Sequence, residues 1–388
     1  MCVFLFHFTL PDYILSRMRW NHKSRRAMRS TISRPRFFLT AVFAALFTLF
    51  IGTLGIAQII PAHHGDGEFV NPYEQKGERR FVRALWSWLF SDEWQKYDPT
   101  RDHVPSTQPQ PAGDVSDNAT VTWIGHSTVL IQHQGINVLT DPMFSKRASP
   151  FSFVGPKRVT QAALALDDLP PIHAVVISHD HYDHLDTSSI RGLGNTPVYF
   201  VPLGLKAWFT KKGIAPSRVI EMDWWDEYVL EVADKQLLIT ATPSQHFSGR
   251  GLTNRNKTLW AAWSIAWPDF RAWFAGDTGY NGVQFREIGE RLGTIDLGII
   301  PIGAYKPRDM MGPVHVNPAE ALQIHRDVNA TASMAIHWGT FVLSAEGVVT
   351  PVQELEKARA QANISEAEFS AFAIGETRHY EARAIDDR

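Results

Sequence analysis

Between residues 118 and 345 the chain alternates short apolar runs with polar positions. Apolar, β-branched runs bounded by turn residues predict strands. They occur in VTWIGHSTVLIQ, INVLTDP, HAVVIS, PVYFVP, QLLITATP, TLWAAWSIAW, RAWFAG, DLGIIPIG and SMAIHWG. Segments at 205–212, 282–291, 318–328 and 351–361 predict helices. Strands that alternate with helices in this way predict a layered α/β fold.

Composition divides the chain into four segments. Residues 1–36 are basic, and residues 37–60 contain no charged side chain. Residues 61–117 join Pro- and Gly-containing connectors to an aromatic-rich stretch, RRFVRALWSWLFSDEWQKY, which is predicted either to lie on a membrane surface or to dock on the main domain. Residues 118–388 carry the alternating pattern and form the predicted main domain.

The uncharged run at 37–60 predicts a membrane anchor, because about 20 apolar residues span a bilayer core. The basic segment before it predicts a single-pass protein whose main domain lies on the non-cytoplasmic side, the periplasmic side in a bacterium. A cleaved signal peptide is the alternative, although the apolar run is long and no A-x-A site follows. Met28 is a second possible start, leaving a short basic segment before the run.

Charge and cysteine content narrow the possible functions. The formal net charge is −2, and residues 1–36 hold eight Lys or Arg and one acid, so the remainder is about −9. An acidic main domain argues against nucleic acid as a partner. Cys2 is the only cysteine, which excludes an intrachain disulfide and a cysteine-based zinc site. The sequence does not indicate an oligomeric state.

The stretch VVISHDHYDHLD, residues 175–186, contains the densest chemistry in the chain. Directly after a predicted buried strand it places three histidines and two aspartates within six positions. Imidazole nitrogens and carboxylate oxygens are the usual ligands of zinc and similar metals. A lone histidine here would be read as structural, but the H-x-H-x-D-H spacing predicts a metal site.

Three more ligand-type residues follow other predicted strands. They are His246 in TPSQHFSG, Asp277 in FAGDTGY and His337 in SMAIHWGT. Each alone is compatible with a structural role or a turn. With four residues of the 179–184 cluster they give seven candidate ligands, which fits two metals that share one carboxylate: His179, His181, Asp183, His184, His246, Asp277 and His337.

These motifs resemble the metallo-β-lactamase superfamily, and more narrowly its N-acyl-phosphatidylethanolamine-hydrolysing phospholipase D family. The narrower resemblance rests on TWIGHSTVLI, LTDPMFSKRASP, GPKR, ISHDHYDHLD, VPLGL, DWWDE, TPSQHFS, LWAAWS, FAGDTGY, IPIGAYKPR, HVNPAEA and SMAIHWGTF. It implies a four-layer α/β/β/α sandwich with two zinc ions per chain, preceded here by the predicted transmembrane segment.

The resemblance also assigns roles to the candidate ligands. It implies one zinc on His179, His181 and His246, and a second zinc on Asp183, His184 and His337. Asp277 would bridge the two ions.

Residues outside the ligand set receive roles in the same way. The resemblance implies that Tyr182 and His315 help to bind the phospholipid, and His315 is also a candidate proton donor to the leaving group. Asp141 would lie near the active site and orient a ligand histidine. His126 is either a similar orienting residue or a buried structural histidine.

The function implied is a zinc-dependent phosphodiesterase of phospholipase D type. It would convert N-acyl-phosphatidylethanolamine-like lipids into N-acylethanolamine and phosphatidic acid, at a membrane. Val314 and the segment SGRGLTNRN depart from the family pattern near the substrate entrance. The alternatives are a metal-dependent lactonase or other carboxylic-ester hydrolase on the same fold, and a binding protein with a degenerate site.

Overall fold

The computed structural model describes residues 61–73, 97–110, 118–251 and 253–384. Within these residues, fourteen strands form two sheets of seven strands each. The predicted boundaries near 36, 60 and 117 fall at or within the segments that are not described. The aromatic-rich stretch predicted at 79–97 is likewise outside the described residues, apart from Tyr97.

The first sheet contains the first six strands of the chain, together with the last strand. These are β1 (Ala119–Gly125), β2 (Thr128–His133), β3 (Ile136–Thr140), β4 (Ala174–Val176), β5 (Val198–Pro202), β6 (Val219–Met222) and β14 (Thr377–Tyr380). Their order is β14-β1-β2-β3-β4-β5-β6, with β3 to β6 parallel. The segment VTWIGHSTVLIQ, predicted as one strand, forms the hairpin β1–β2. Positive φ angles at Gly125 and His126 allow the turn.

The second sheet is built from the remaining strands. These are β7 (Glu227–Val232), β8 (Lys235–Thr242), β9 (Ala262–Ala266), β10 (Arg271–Phe274), β11 (Ile295–Pro301), β12 (Ala330–Ile336) and β13 (Phe369–Ala371). They lie in the order β13-β12-β11-β10-β9-β8-β7, and β10 to β13 are parallel. The two-sheet α/β architecture predicted from the sequence is confirmed.

The helices connect the parallel strands. They are α1 (Thr187–Leu193), α2 (Lys206–Lys211), α3 (Gln284–Leu292), α4 (Arg308–Met311), α5 (Pro318–Asp327) and α6 (Thr350–Ala362), with 3₁₀ turns at Leu166–Asp168 and Pro216–Arg218. Helix α5 contacts β11 and β12, and helix α2 contacts β6, so a helix packs on each sheet. The predicted helices near 205–212, 282–291, 318–328 and 351–361 correspond to α2, α3, α5 and α6.

The main core joins apolar side chains of both sheets, including Trp123, Val176, Trp263 and Trp273. A second cluster, including Val175, lies on the other face of the first sheet, beneath α1 and α2. Neighbouring residues of β4 therefore enter different cores. This explains why the strand reads as a continuous apolar run rather than an alternating pattern.

The amino-terminal described segment is attached to this domain by hydrogen bonds. Nε2 of His63 and Nε2 of His64 lie 2.6 and 2.8 Å from the two carboxylate oxygens of Asp223. His63 also stacks on Trp224, with ring centroids 4.0 Å apart. These are hydrogen-bond distances, so the contacts of His63 and His64 with Asp223 and Trp224 hold residues 61–73 against the domain.

The predicted single-pass membrane location is corrected by the structure. In the part of the chain that is described, no helix combines the length and apolar character needed to cross a bilayer. The longest described helix has 13 residues, whereas about 20 are required. Residues 37–60, on which the prediction rested, lie outside the described residues. The described structure therefore does not support a single-pass protein with its main domain on the non-cytoplasmic side.

Candidate metal centre

The seven candidate ligands and Asp141 follow strands at one edge of the two sheets. Parallel strands place their carboxyl ends at the same edge, where ligand-bearing loops can converge. Asp141 follows β3, the cluster 179–184 follows β4, Asp277 follows β10 and His337 follows β12. His246 follows β8, which runs in the same direction as β10 because both pair antiparallel with β9.

The loop after β4 is fixed at its carboxyl end by a helix cap. The Asp186 carboxylate accepts hydrogen bonds from the amides of Ser188 and Ser189 at the start of α1. Within the loop, the amides of His184 and Leu185 both donate to the carbonyl of His181. This tight turn brings the four ligand-type side chains of the cluster to one side of the loop.

The first ligand group consists of three histidines. Nε2 of His179 lies 2.8 Å from Nδ1 of His181, and Nε2 of His246 lies 3.3 Å from the same nitrogen. Nδ1 of His246 donates to the Val314 carbonyl at 2.9 Å, which leaves the lone pair of its Nε2 directed at the group. The three nitrogens are close enough to bind one ion together.

The second group consists of a carboxylate and two histidines. Oδ2 of Asp183 lies 3.4 Å from Nε2 of His184 and 3.4 Å from Nε2 of His337. Metal–ligand bonds of about 2.1 Å in a tetrahedron separate the ligand atoms by about 3.4 Å. The spacing is therefore that of a metal site rather than of direct hydrogen bonds.

Asp277 lies between the two groups. Its Oδ2 is 3.1 and 3.2 Å from Nε2 of His184 and His337, and 3.9 and 4.0 Å from Nε2 of His246 and His179. Gly276 before it has a φ of +59°, and a Cβ there would lie 2.4 Å from Cβ of Ser178. Glycine thus permits the close approach that places Asp277 where it can contact two ions.

Asp141 supports ligands of both groups from beneath. Its Oδ2 lies 2.6 Å from Nδ1 of His184 and accepts the Ser178 hydroxyl at 2.5 Å, while its Oδ1 accepts the Ser178 amide at 2.7 Å. The Ser178 hydroxyl also lies 2.8 Å from Nδ1 of His179. A histidine held at one ring nitrogen presents the other to a metal in a fixed direction.

Two contacts to the ligands were not assigned from the sequence. His126, left open between two roles, is buried and places Nε2 3.1 Å from Oδ2 of Asp183, while its carbonyl accepts the His337 amide. Asn71 donates from its side-chain amide to the carbonyl of His246 at 2.7 Å. The predicted connector at 61–117 therefore contributes to the surroundings of a candidate ligand.

The pKa values of the histidines are lowered in the first ligand group and raised in the second. Burial lowers the pKa of His181 to about 4 and that of His246 to about 3. Burial acts in the same direction on His337, but Asp277 and Asp183 outweigh it and raise the pKa of His337 to about 9. The same balance raises the pKa of His184 well above its usual value. Without metal, protons on these two histidines partly neutralise the buried carboxylates.

Several polar atoms at the centre are buried and lack a hydrogen-bond partner. They include Nε2 of His184, Nε2 of His337 and Oδ1 of Asp277. Buried polar atoms without partners are costly, and cations coordinated at these atoms would satisfy them. The set of imidazoles and carboxylates, free of thiolates, fits zinc and other divalent ions.

His315 lies close to both groups, and with His246 and Asp277 it forms a further set of side chains near enough to one another to hold an ion. Its Nδ1 is buried, lacks a hydrogen-bond partner and lies 3.9 Å from Oδ2 of Asp277. Its ring centroid is 5.1 Å from that of His246 and 5.6 Å from that of His337. His315 therefore lies near one histidine of each group.

Tyr182 points from the metal motif to a neighbouring cavity of about 890 Å³. Its hydroxyl donates to the Arg250 carbonyl at 2.9 Å, and the Arg250 guanidinium lies 4.0 Å from its ring centroid. Arg250 in turn donates to the carbonyls of Asp180 and Leu185. None of the seven candidate ligands is among the described lining residues, so the cavity lies beside the metal centre.

Comparison with known proteins identifies a superfamily that matches the observed two-sheet fold, and relatives from one family within it. The model of the Beta-lactamase superfamily domain matches residues 136–338. The chain is 40% identical over 263 residues to N-acyl-phosphatidylethanolamine-hydrolyzing phospholipase D 1 of Caenorhabditis elegans, covering 66% of this chain and 74% of that protein. It is 37% identical over 239 residues to the corresponding mitochondrial enzyme of Saccharomyces cerevisiae, covering 61% of this chain and half of that protein. Among solved structures, the metallo hydrolase Igni18 of Ignicoccus hospitalis superposes with a TM-score of 0.51 at 22% identity, covering 68% of this chain and 99% of that one.

Proposed function

The chain belongs to the β-lactamase superfamily and, within it, to the N-acyl-phosphatidylethanolamine-hydrolysing phospholipase D family, and from this premise we propose that it is a zinc-dependent phospholipase D-type phosphodiesterase. Its substrates would be N-acylated phosphatidylethanolamines, and its products N-acylethanolamine and phosphatidic acid. The observation that carries the proposal is the pair of ligand groups joined by Asp277, with His315 facing both.

The proposed centre holds two ions. His179, His181 and His246 would bind one, Asp183, His184 and His337 the other, and Asp277 both. Bound divalent ions supply two effects: they lower the pKa of a coordinated water, and they neutralise charge on phosphoryl oxygens. Asp141 and Ser178 keep the ligand imidazoles oriented, so that the site needs little rearrangement on binding.

His315 would act on the phosphodiester itself. Its buried Nδ1 faces the centre without a hydrogen-bond partner, so it can donate to a phosphoryl oxygen placed between the two ligand groups. Water adds to phosphorus and the bond from phosphorus to the ethanolamine oxygen breaks. The departing oxygen takes up a proton from water, because burial lowers the pKa of His315 to about 3 and leaves its imidazole neutral near pH 7.

Tyr182 and the neighbouring cavity would receive the rest of the lipid. Phe151, Leu205 and Trp208 contribute apolar surface to this cavity. Contacts with remote acyl groups help to hold phosphorus in line for attack. We expect shorter acyl chains to lower kcat/KM, because those contacts are lost.

Product analysis tests the proposed function. The metal-loaded protein would be given an N-acyl-phosphatidylethanolamine and, separately, a panel of lactones, with Asp277→Asn as the inactive control. Phosphatidic acid and N-acylethanolamine, formed by the unaltered protein alone, would support the proposal. Ring opening of lactones with no phospholipid cleavage would instead make the protein a lactonase.

A further inference from the structure

Three large apolar side chains are exposed in one loop. The exposed fractions of Phe151, Phe153 and Val154 are 55%, 78% and 50%. The two phenylalanine rings lie beside each other, with centroids 5.6 Å apart. Adjacent exposed apolar side chains commonly mark a contact surface. Residues 148–156 are called the apolar loop below.

The apolar loop is held in shape at its base. The Ala148 amide donates to the Pro156 carbonyl at 3.0 Å, and the Arg158 amide donates to the Lys146 carbonyl at 2.9 Å. The Arg147 guanidinium donates to the Gly155 carbonyl at 2.6 Å. A loop already ordered in this way loses little conformational entropy when its tip is covered by a partner.

Basic side chains lie on the cavity beside the apolar loop. Lys146 lies two residues before it, and Lys146, Lys211 and Lys212 line the cavity to which Phe151 also contributes. Lys212 lies with its ammonium 5.5 Å from the ring centroid of Trp208. The tip is thus apolar and the surface around its base is cationic.

The acids of this cavity do not neutralise these lysines. Asp186 caps α1 and also accepts the Ser145 hydroxyl. Asp180 accepts the Gly249 amide at 2.6 Å. In the described part of the chain, Lys146, Lys211 and Lys212 form no ion pair with either carboxylate. The cations are therefore available to an anionic partner.

We propose that the apolar loop inserts into the surface of an anionic phospholipid bilayer, with Lys146, Lys211 and Lys212 on the headgroups. An apolar tip with cations beside its base matches the order of layers at such a surface, where hydrocarbon lies beneath negative charge. The surface is peripheral and does not cross the bilayer. It deepens the proposed function and rests on it, because a phospholipid substrate has to be taken from a bilayer.

The position of the loop fits this role. Residues 149–152 form one side of the cavity, and Tyr182, between the candidate ligands His181 and Asp183, lies on the same cavity. A lipid withdrawn from the bilayer at the apolar loop would therefore enter the space beside the metal motif. Cations at the entrance would also attract its phosphate.

A single fluorescent label tests the proposal in the full chain. Cys2 is the only native cysteine, so Cys2→Ser with Val154→Cys gives one labelling position for an environment-sensitive dye. Val229→Cys in the same background is the matched control, since Val229 on β7 is also 50% exposed. Because the readout comes from position 154, binding by any other segment does not produce it.

With vesicles of phosphatidylcholine and phosphatidylglycerol, the emission of a dye at position 154 should shift to the blue. The shift should be much smaller with vesicles of phosphatidylcholine alone, and a dye at position 229 should show none. Replacing Lys146, Lys211 and Lys212 by Gln should increase the lipid concentration that produces half of the maximal emission shift by at least about tenfold. Hydrolysis of a soluble nitrophenyl phosphodiester should be unchanged in the labelled protein.

Two results would overturn the proposal. One is an unchanged emission at position 154 with anionic vesicles. The other is a shift that grows with protein concentration in the absence of lipid, since a second copy would then cover the loop. A lipid-dependent shift in a protein that leaves phospholipids uncleaved would support the docking surface while removing the proposed function, so the two failures are distinguishable.

Discussion

The carboxylate of Asp141 accepts a hydrogen bond of 2.6 Å from Nδ1 of His184, in a pair of side chains with no solvent exposure. The same oxygen accepts the hydroxyl of Ser178, which also lies 2.8 Å from Nδ1 of His179. One buried carboxylate thus orients a candidate ligand of each group. The two ligand groups are therefore connected through Asp141 and Ser178, as well as through Asp277.

Ser178→Ala should lower the metal affinity of the group of three histidines by about tenfold. Asp141→Asn should lower the metal affinity of the group that contains His184 by about ten- to a hundredfold. The cause is loss of the contacts that orient His179 and His184. Competition with a chromophoric chelator would measure both affinities. Ser333→Ala is the control, because that buried hydroxyl also contacts a histidine, His325, away from the centre. Equal effects of the two serine variants would show that only general packing is involved.

Asp277→Asn should remove at least one metal and reduce turnover by at least about a thousandfold, because it deletes the negative charge shared by both groups. His315→Ala should keep the full metal content while impairing turnover or substrate binding. Metal analysis of the purified proteins, together with kinetics, separates the two. Retention of both metals and near-normal turnover in Asp277→Asn would make Asp277 a turn residue.

Metal uptake near neutral pH should release protons. In the metal-free protein the pKa of His337 is raised to about 9 and that of His184 lies well above its usual value, so both carry protons at pH 7. A metal requires neutral imidazole, and affinity should therefore rise as pH rises toward those values. Calorimetry in buffers of different ionisation heat gives the number of protons directly. Proton-neutral binding would contradict the charge balance described here.

Gly303→Ala should disturb the position of His337. A Cβ at residue 303 would lie 2.0 Å from the His337 carbonyl oxygen, and backbone cannot rotate away as a side chain can. We expect a loss of about 1–3 kcal/mol in the free energy of unfolding, with weaker metal binding. Gly282→Ala is the control, because its nearest neighbour would be 3.5 Å away. Denaturant titration of both variants makes the comparison.

The sequence indicated residues that the fold brings close together, but it did not indicate the edge strands of the sheets. The candidate ligands could be identified because His and Asp directly follow apolar runs, which ties their chemistry to strand ends. Edge strand β14 offers no such pattern: Thr377–Tyr380 is mostly polar and pairs with β1, more than 250 residues away. Strand β7 was missed for a similar reason, since four of its six residues are exposed.

The supporting contacts depend on three-dimensional proximity that sequence does not encode locally. Ser178 is an ordinary serine until the fold places it between Asp141 and His179. Nδ1 of His246 donates to the backbone carbonyl of Val314. Because every residue type has a backbone carbonyl, the sequence gives no sign of this contact. Helix α1 was not predicted, although an aspartate directly before Thr187 and two serines is typical of a helix start.

Hydrolysis in ¹⁸O-labelled water tests the central claim most directly. The metal-loaded protein would be incubated with a long-chain N-acyl-phosphatidylethanolamine, and the products would be resolved by mass spectrometry. Attack at phosphorus predicts one ¹⁸O atom in the phosphate of phosphatidic acid and none in N-acylethanolamine. Label in a released carboxylate, or in the N-acylethanolamine hydroxyl, would contradict a phosphodiesterase acting at this centre.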